Sequence, residues 1–378
     1  MTLQSKTEYF EAIQARYSRA NKAEKSRILD EYCENCNFNR KYAIRKLTNK
    51  AKAQQVKLKH TGRKPKYNSA EIKEFLIYLY KSTNLICSKR LVACIPLWLD
   101  FYPKELKHKE LLLTISSSTI DRILHTYRGK YSKKGLSSTK PGSLIKKRIP
   151  ISKQQWDAEK PGFIEADTVA HCGTSLSGSF VYTLNFVDIA TGWIESRALW
   201  GKGQMSTYNA IADIESKLPF KILGFDSDNG SEFINYHLLS YFTNRKHPVI
   251  FTRSRPYMKN DNAHIEGKNW THIRQYLGYN RIDNPKAVDL LNSLFSSDWS
   301  LFFNFFIPSV KLISKTRVDG KIIKSHDKPK TPFQRLLDSN ILTKKQQAIL
   351  SDNFNSLNPF SLQSNIFKQI SFIFNNFT

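Results

Sequence analysis

Three acidic residues in this chain stand where an acid needs a reason. Asp167 sits inside the apolar run FIEADTVAH, and Asp228 follows another in FDSDNGSEF. Glu266 lies in NDNAHIEGKN, with 37 residues between it and Asp228. A carboxylate within an apolar run is costly to bury unless it is paired or bound to metal. Two carboxylates held side by side force one to stay protonated, and a hard divalent cation removes that conflict by bridging them. With a third carboxylate completing the shell, two Mg2+ or Mn2+ ions about 4 Å apart can activate an attacking oxygen and stabilise a leaving one. The set suits in-line displacement at a phosphodiester.

Each acid also has an ordinary reading. Asp228 in DNG can initiate a turn, Asp167 can be a salt-bridged core acid, and Glu266 can be a helix-surface residue. Glu165 and Asp226 precede their partners by two residues, so alternation puts them on the same strand faces as weaker candidates. Asp188 reads as a turn residue, and Glu232, Asp261 and Asp213 as loop, cap and helix-surface residues.

The elements that must position these acids begin after Trp156. PGFIEADTVAHCG, SGSFVYTLNFVDI and GWIESRALW read as three strands, joined by a Gly/Ser turn and by the tight turn DIATGW. QMSTYNAIADIESKL is a helix, FKILGFDSD a strand, NYHLLSYFTNR a helix and PVIFTR a strand. Asp261 or Asn262 then caps a longer helix running to Gly278. Three antiparallel strands followed by alternating helix and strand is the order of the RNase H-like fold. Its mixed five-stranded sheet sets the fourth strand beside the first, and so Asp228 beside Asp167.

The rest of the chain reads as equipment for holding a polyanion. Net charge is +27 over 378 residues, and residues 1–150 hold 33 Lys/Arg against 12 Asp/Glu. Neutralising phosphates releases counterions and gives affinity regardless of sequence, so nucleic acid is the expected partner. Tyr9, Ile13 and Tyr17 mark one face of a first helix, with Arg27–Cys36 and Asn39–Leu47 following, a pattern that suits a helix-turn-helix. The basic stretch at 51–67 reads as a linker able to lie along a groove, and Arg63, Lys64 and Lys66 in GRKPK suit a minor-groove arm. AEIKEFLIYLYKST, SKRLVACIPLWLDFY and SSSTIDRILHTYRGKY form a second helical block. In its last helix Ser118, Thr119 and Arg122 can face base edges while Ile120, Ile123 and Leu124 hold the body.

The organisation expected is therefore multidomain. An all-α helix-turn-helix domain covers 1–50, a basic linker 51–67, a second helical DNA-binding domain 68–130 and a basic linker 131–155. The α/β RNase H-like core covers 156–300, and a small C-terminal region 301–378 contains a basic hairpin around Asp319-Gly320. After Leu337 the Asn- and Phe-rich sequence offers no clear element. The five cysteines are odd in number and scattered, so a disulfide framework is not expected, and the lone Cys33-x-x-Cys36 reads as helix thiols. No apolar run is long enough to span a bilayer, and the polar, amphipathic N-terminus lacks the form of a signal peptide. A cytoplasmic location and no membrane partner are the expectation.

At the three acids the sequence resembles the catalytic core of retroviral integrases and related bacterial insertion-sequence transposases, the D,D-35-E group. The family's first Asp falls on Asp167, the Asp of its (S/T)-D-x-G-x-x-(F/Y) motif on Asp228, and its Glu on Glu266; SDNGSEF and KNDNAHIEGKNW match almost throughout. No His-His-Cys-Cys zinc module precedes the core, and the double helical block looks like that of bacterial transposases, with DKPKTPFQRLL similar to their C-terminal parts. The resemblance implies hydrolytic nicking at the ends of a mobile element, then attack of the freed 3′-OH on target DNA. It implies double-stranded DNA partners (terminal inverted repeats and target), a homo-oligomer on DNA, and a bacterial, nucleoid-associated setting. Asn229, Gly230 and Ser231 would shape the loop at the second acid. Lys268, Asn269 and Arg274 would come within reach of DNA phosphates, with Lys259 just ahead of the helix and Trp270 packing. Two other readings compete: a DNA-binding regulator with an inactive core, and a structure-selective RNase H-like nuclease.

Overall fold

The computed structural model describes residues 3–48, 66–128, 160–254, 263–318 and 321–377. The chain divides into two units, Met1–Lys66 and Tyr67–Thr378. The first contains α1 (Leu3–Arg19), α2 (Lys22–Cys36) and α3 (Arg40–Thr48). α2 opens on a capping box between Asn21 and Glu24 and closes on Asn37 in the left-handed region, which satisfies backbone groups that helix ends leave open. Ile13, Leu29, Tyr32, Cys36 and Ala43 form its core. Cys33 and Cys36 are free thiols, the latter buried.

The second unit starts with α4 (Ala70–Ser82), α5 (Ser88–Trp98), α6 (Lys109–Leu113) and α7 (Ser117–Arg128). Then β1 (Phe163–Ala170), β2 (Val181–Asp188) and β3 (Ile194–Trp200) pair antiparallel as a meander. α8 (Gln204–Lys217) leads to β4 (Gly224–Ser227), and α9 (Tyr236–Thr243) leads to β5 (Ile250–Arg253). The strand order β3-β2-β1-β4-β5, with β1, β4 and β5 parallel, makes a mixed five-stranded sheet. The fourth strand lies beside the first, as the element order predicts. β1 is central, and Ile164, Ala166 and Val169 are buried in it, as expected for a strand covered on both faces.

α10 (Ala263–Lys268) passes into a π-helical turn at Asn269–Arg274 and then α11 (Gln275–Leu277), ending at Gly278 with φ 69°. The caps expected at Asp261 and Asn262 lie outside the described residues. α12 (Lys286–Leu294) and the helical turns after it bury Phe295, Trp299, Phe302, Phe303, Phe305 and Phe306. A two-stranded ribbon follows, β6 (Leu312–Val318) with β7 (Lys321–His326), and then α13 (Pro332–Asp338), α14 (Lys344–Ser356) and α15 (Pro359–Phe377).

The sequence after Leu337, which offered no clear element, is thus helical. The reason is tertiary. α15 buries Phe360, Leu362, Ile366, Ile370 and Ile373 along one side. Its Phe360 ring lies 4.8 Å from Trp98 of α5, which also meets Phe302 at 5.9 Å and donates its indole N–H to the Phe306 carbonyl at 3.1 Å. The helical block α4–α7, the sheet and the C-terminal helices therefore share one apolar core. Most of the two basic linkers, 51–65 and 131–155, lies outside the described residues.

Candidate active site

β1 and β4 run parallel, with Ala166 opposite Ser227. The next residue along each chain is an aspartate, Asp167 and Asp228, so both arise at the carboxyl end of β4. Open α/β sheets leave their crevices at such strand ends. On its other side Asp167 is the register partner of Asn185 in β2, which in turn faces Ser196 in β3. Register partners share a face of the sheet, so these side chains form a polar row. Ser196 Oγ donates to Asn185 Oδ1 (2.6 Å), Asn185 Nδ2 to Asn269 Oδ1 (2.6 Å), and Asn269 Nδ2 to Asp167 Oδ2 (2.7 Å). One end of Asp167 is thereby fixed through two amides to the far strand of the meander.

Asp228 is held by its own loop. Its Oδ1 accepts the Gly230 N–H at 2.9 Å. Glu232, only 1% exposed, accepts from Thr168 Oγ1 at 3.1 Å and pairs with Lys202 Nζ at 2.6 Å. A Cβ on Gly230 would come within 2.5 Å of Glu232 Oε2 and 2.9 Å of Asp228 Oδ1. A side chain at this position would have to displace one of the two carboxylates from its present partners.

Burial pushes the Asp167 carboxyl well above the usual carboxylate range, and the charge of Asp228 adds to the shift; the Thr168 N–H and Asn269 oppose it. Asp228 is raised in the same direction by burial and then by Glu232. Burial works against the ammonium of Lys202, yet Glu232 and Asp228 together keep its affinity for the proton above the ordinary value. Two adjoining carboxylates that resist ionisation fit a divalent cation, whose charge would replace the missing protons. Asp167 and Asp228 have the donor chemistry for it. Among the described residues no three His, Cys, Asp or Glu side chains are gathered to hold a metal. Glu266 is exposed on α10, three residues before Asn269, so its helix is docked on Asp167 through Asn269 rather than through Glu266 itself.

The weaker acids have structural partners. Glu165 Oε2 accepts the Ile265 N–H at 2.9 Å, fastening α10 to β1, and Asp226 accepts from the Thr252 hydroxyl. Asp188 closes the β2–β3 turn, taking the Gly162 and Thr191 N–H groups and the Thr191 hydroxyl. Asn229 bridges Arg253 and the Ser254 carbonyl.

The residues expected at DNA are placed unevenly. Asn269 reaches Asp167 itself. Lys268 is turned inward: burial lowers its ammonium to about 7, and the charges of Arg90 and Arg335 act in the same direction. Arg274 donates to the Ala170 carbonyl at 2.8 Å and lies 4.6 Å over the Tyr279 ring, pinning the helix to the end of β1. Trp270 is half-buried near Tyr279. In α7, Ser118 and Arg122 are exposed and Thr119 is half-buried, with Arg122 donating to the Thr119 hydroxyl at 3.1 Å, while Ile120 and Leu124 are buried. Lys66 is exposed, and Arg63, Lys64 and Lys259 lie outside the described residues.

No family model matches the sequence. The uncharacterized protein y4rM of Sinorhizobium fredii (strain NBRC 101917 / NGR234) is 34% identical over 349 residues, spanning 89% of this chain and 96% of that protein. The chain belongs to the y4rM family. Among solved structures, the catalytic core domain of HTLV-2 integrase, in complex with magnesium in a dimeric form, covers 43% of this chain and 93% of its own. Its TM-score is 0.28 at 15% identity, too slight an overlap to bear on fold or activity.

Sequence reading did not place Asn185, Ser196 and Lys202 at this site, and it read Glu232 as a loop residue. Asn185 had a signal, being a lone amide in the apolar strand VYTLNFVD. Glu232 lies four residues after Asp228, but only the fold of the loop turns it inward. Lys202 follows β3 and meets Glu232 across a sequence separation that no local pattern encodes.

Proposed function

We propose that this protein is a metal-dependent DNA transposase of the DDE type with an RNase H-like core. The observation that carries the reading is the side-by-side placement of Asp167, within β1, and Asp228, just past the end of the parallel strand β4, both resisting ionisation. The strand order β3-β2-β1-β4-β5 supports it, as does the SDNGSEF sequence around the second acid.

In this reading Asp167, Asp228 and Glu266 hold two Mg2+ or Mn2+ ions. Bound there, the ions supply Lewis-acid charge at the scissile phosphate and at the attacking and leaving oxygens. The chain's own residues provide placement. Asn269 orients Asp167, the Gly230 N–H orients Asp228, and Lys202 with Glu232 closes the inner wall. Terminal inverted repeats are nicked, and the 3′-OH is joined to target DNA by transesterification. The helices of residues 3–48 and α7 bind duplex DNA, and two copies or more assemble on paired ends.

The test is cleavage by the full chain, with Mg2+ or Mn2+, of a duplex carrying the repeats that flank its gene. Nicks at the repeat ends and joined products are expected. Preferential cleavage of an RNA–DNA hybrid would point instead to a structure-selective nuclease. Tight duplex binding with no cleavage under either metal would leave a regulator.

A further inference from the structure

The β6–β7 ribbon is built unlike the rest of the molecule. Every described residue in it is exposed, on both faces. A two-stranded ribbon is marginal in water on its own, so this one needs either a firm root or a partner. It has the root. Asp327 accepts the Lys311 N–H at 2.6 Å and pairs with Arg335 at 2.5 Å, and Arg335 donates to the Ser309 carbonyl at 2.9 Å.

Its faces call for the partner. Lys315 lies directly opposite Lys324, and Arg317 opposite Ile322, so three cations share one face. Like charges directly opposite each other destabilise a ribbon, and the described strands contain no acid and make no ion pair with those cations. Ile322 at 58% and Ile323 at 54% exposure add unburied apolar surface. A surface of this kind is complete only against something anionic with room for aliphatic side chains. A second copy of this chain fits badly, since each carries +27 and ribbon-to-ribbon pairing would set cations against cations.

We propose that the β6–β7 ribbon is a duplex-DNA-binding element, lying in the major groove with Lys315, Lys324 and Arg317 on the phosphates. The choice of DNA among polyanions rests on the transposase reading. The dimensions agree: a seven-residue strand reaches about 23 Å, and a major groove about 12 Å wide admits a two-stranded ribbon. Ile322, opposite Arg317 and so on the same face as the cations, can meet a thymine methyl group there.

The experiment is fluorescence anisotropy of the full chain on a mixed-sequence 30-bp duplex from 50 to 300 mM salt. Wild type is compared with the Lys315→Ala/Arg317→Ala/Lys324→Ala variant and with Lys315→Arg/Lys324→Arg. Losing three phosphate contacts should flatten the log K against log salt slope by about 2–3 units and weaken binding at least roughly tenfold at low salt, while the arginine variant keeps the wild-type slope. An unchanged slope overturns the proposal. So does loss of self-association, read by sedimentation, with DNA affinity intact, which would make the partner a second copy. Metal-dependent nicking measured on the same proteins separates the two ideas. A flattened slope without nicking by wild type sinks the transposase reading alone, and nicking with an unchanged slope sinks the ribbon alone.

Discussion

The molecule contains two β-structures with opposite designs. In the five-stranded sheet, β1 is flanked by strands on both edges, and acids of β1 and β2 have their partners: Asp167 to Asn269, Glu165 to the Ile265 N–H, and Asp188 of β2 to Thr191. In the β6–β7 ribbon nothing is buried and the cations have no matching acids among the described residues. The first is specified from within, and the charge conflict that is left sits at Asp167 and Asp228, with Glu232 adding to it. The second leaves its whole surface unmatched. In both places the unsatisfied feature is electrostatic, and in both it marks where something from outside would complete the structure: cations at the aspartates, an anion along the ribbon.

Catalysis offers the sharpest way to break this comparison. Asp167→Asn, Asp228→Asn and Glu266→Gln should each reduce metal-dependent nicking by about 10²–10³-fold or more, given the several kcal/mol that a correctly held metal contributes. Retention of activity by any of them in a gel-based nicking assay would remove that residue from the set. Next in size is the shared core. Trp98→Ala should cost about 3–5 kcal/mol and lower a single calorimetric transition that α4–α7 share with the sheet. Two resolved transitions for residues 67–378 would show that the blocks do not depend on each other.

A smaller effect is expected at the amide row. Asn269→Ala leaves the Asn185 amide and Asp167 without their partner, so stability should fall by about 1–3 kcal/mol, and denaturant midpoints would measure it. The aspartates themselves predict a pH dependence. Their folded pKa values lie above the unfolded value of about 3.9, so above that pH the folded state holds protons that the unfolded chain has lost. Stability contributed by this pair therefore falls as pH rises through the raised values. Mg2+ should raise Tm more at pH 8 than at pH 5, by about 2–4 °C, and Asp167→Asn should erase the difference. Smallest of all, Ile322→Ala in the ribbon should change stability by less than about 0.5 kcal/mol, as for an exposed position. A larger loss would mean that the ribbon is buried in the free protein.

The sheet was legible in sequence because its strands alternate with turns and helices of recognisable period, and because an acid in the middle of FIEADTVAH is conspicuous. β4 proved shorter than FKILGFDSD promised, since only Gly224–Ser227 finds ladder partners on both sides. The α15 helix was illegible for a different reason. Its aromatic and Asn-rich sequence has weak helical preference, and its periodicity acquires meaning only against Trp98 and the helical turns packed beside it. Lys268 illustrates the same limit at a single residue: a lysine expected to reach DNA phosphates is half-buried in the fold, where burial and the like charges of Arg90 and Arg335 disfavour its ammonium.

By itself the sequence determined the basic character of the chain, the order of strands and helices, and the position of each acid within its element. Those are properties of composition and local period. Only the tertiary structure decided the register that sets Ala166 opposite Ser227, that Asn269 rather than Glu266 carries the docked contact to Asp167, and that Glu232 and Lys202 stand beside Asp228. Such facts depend on strand register and on contacts across long separations, where side chains meet because the whole sheet has closed around them.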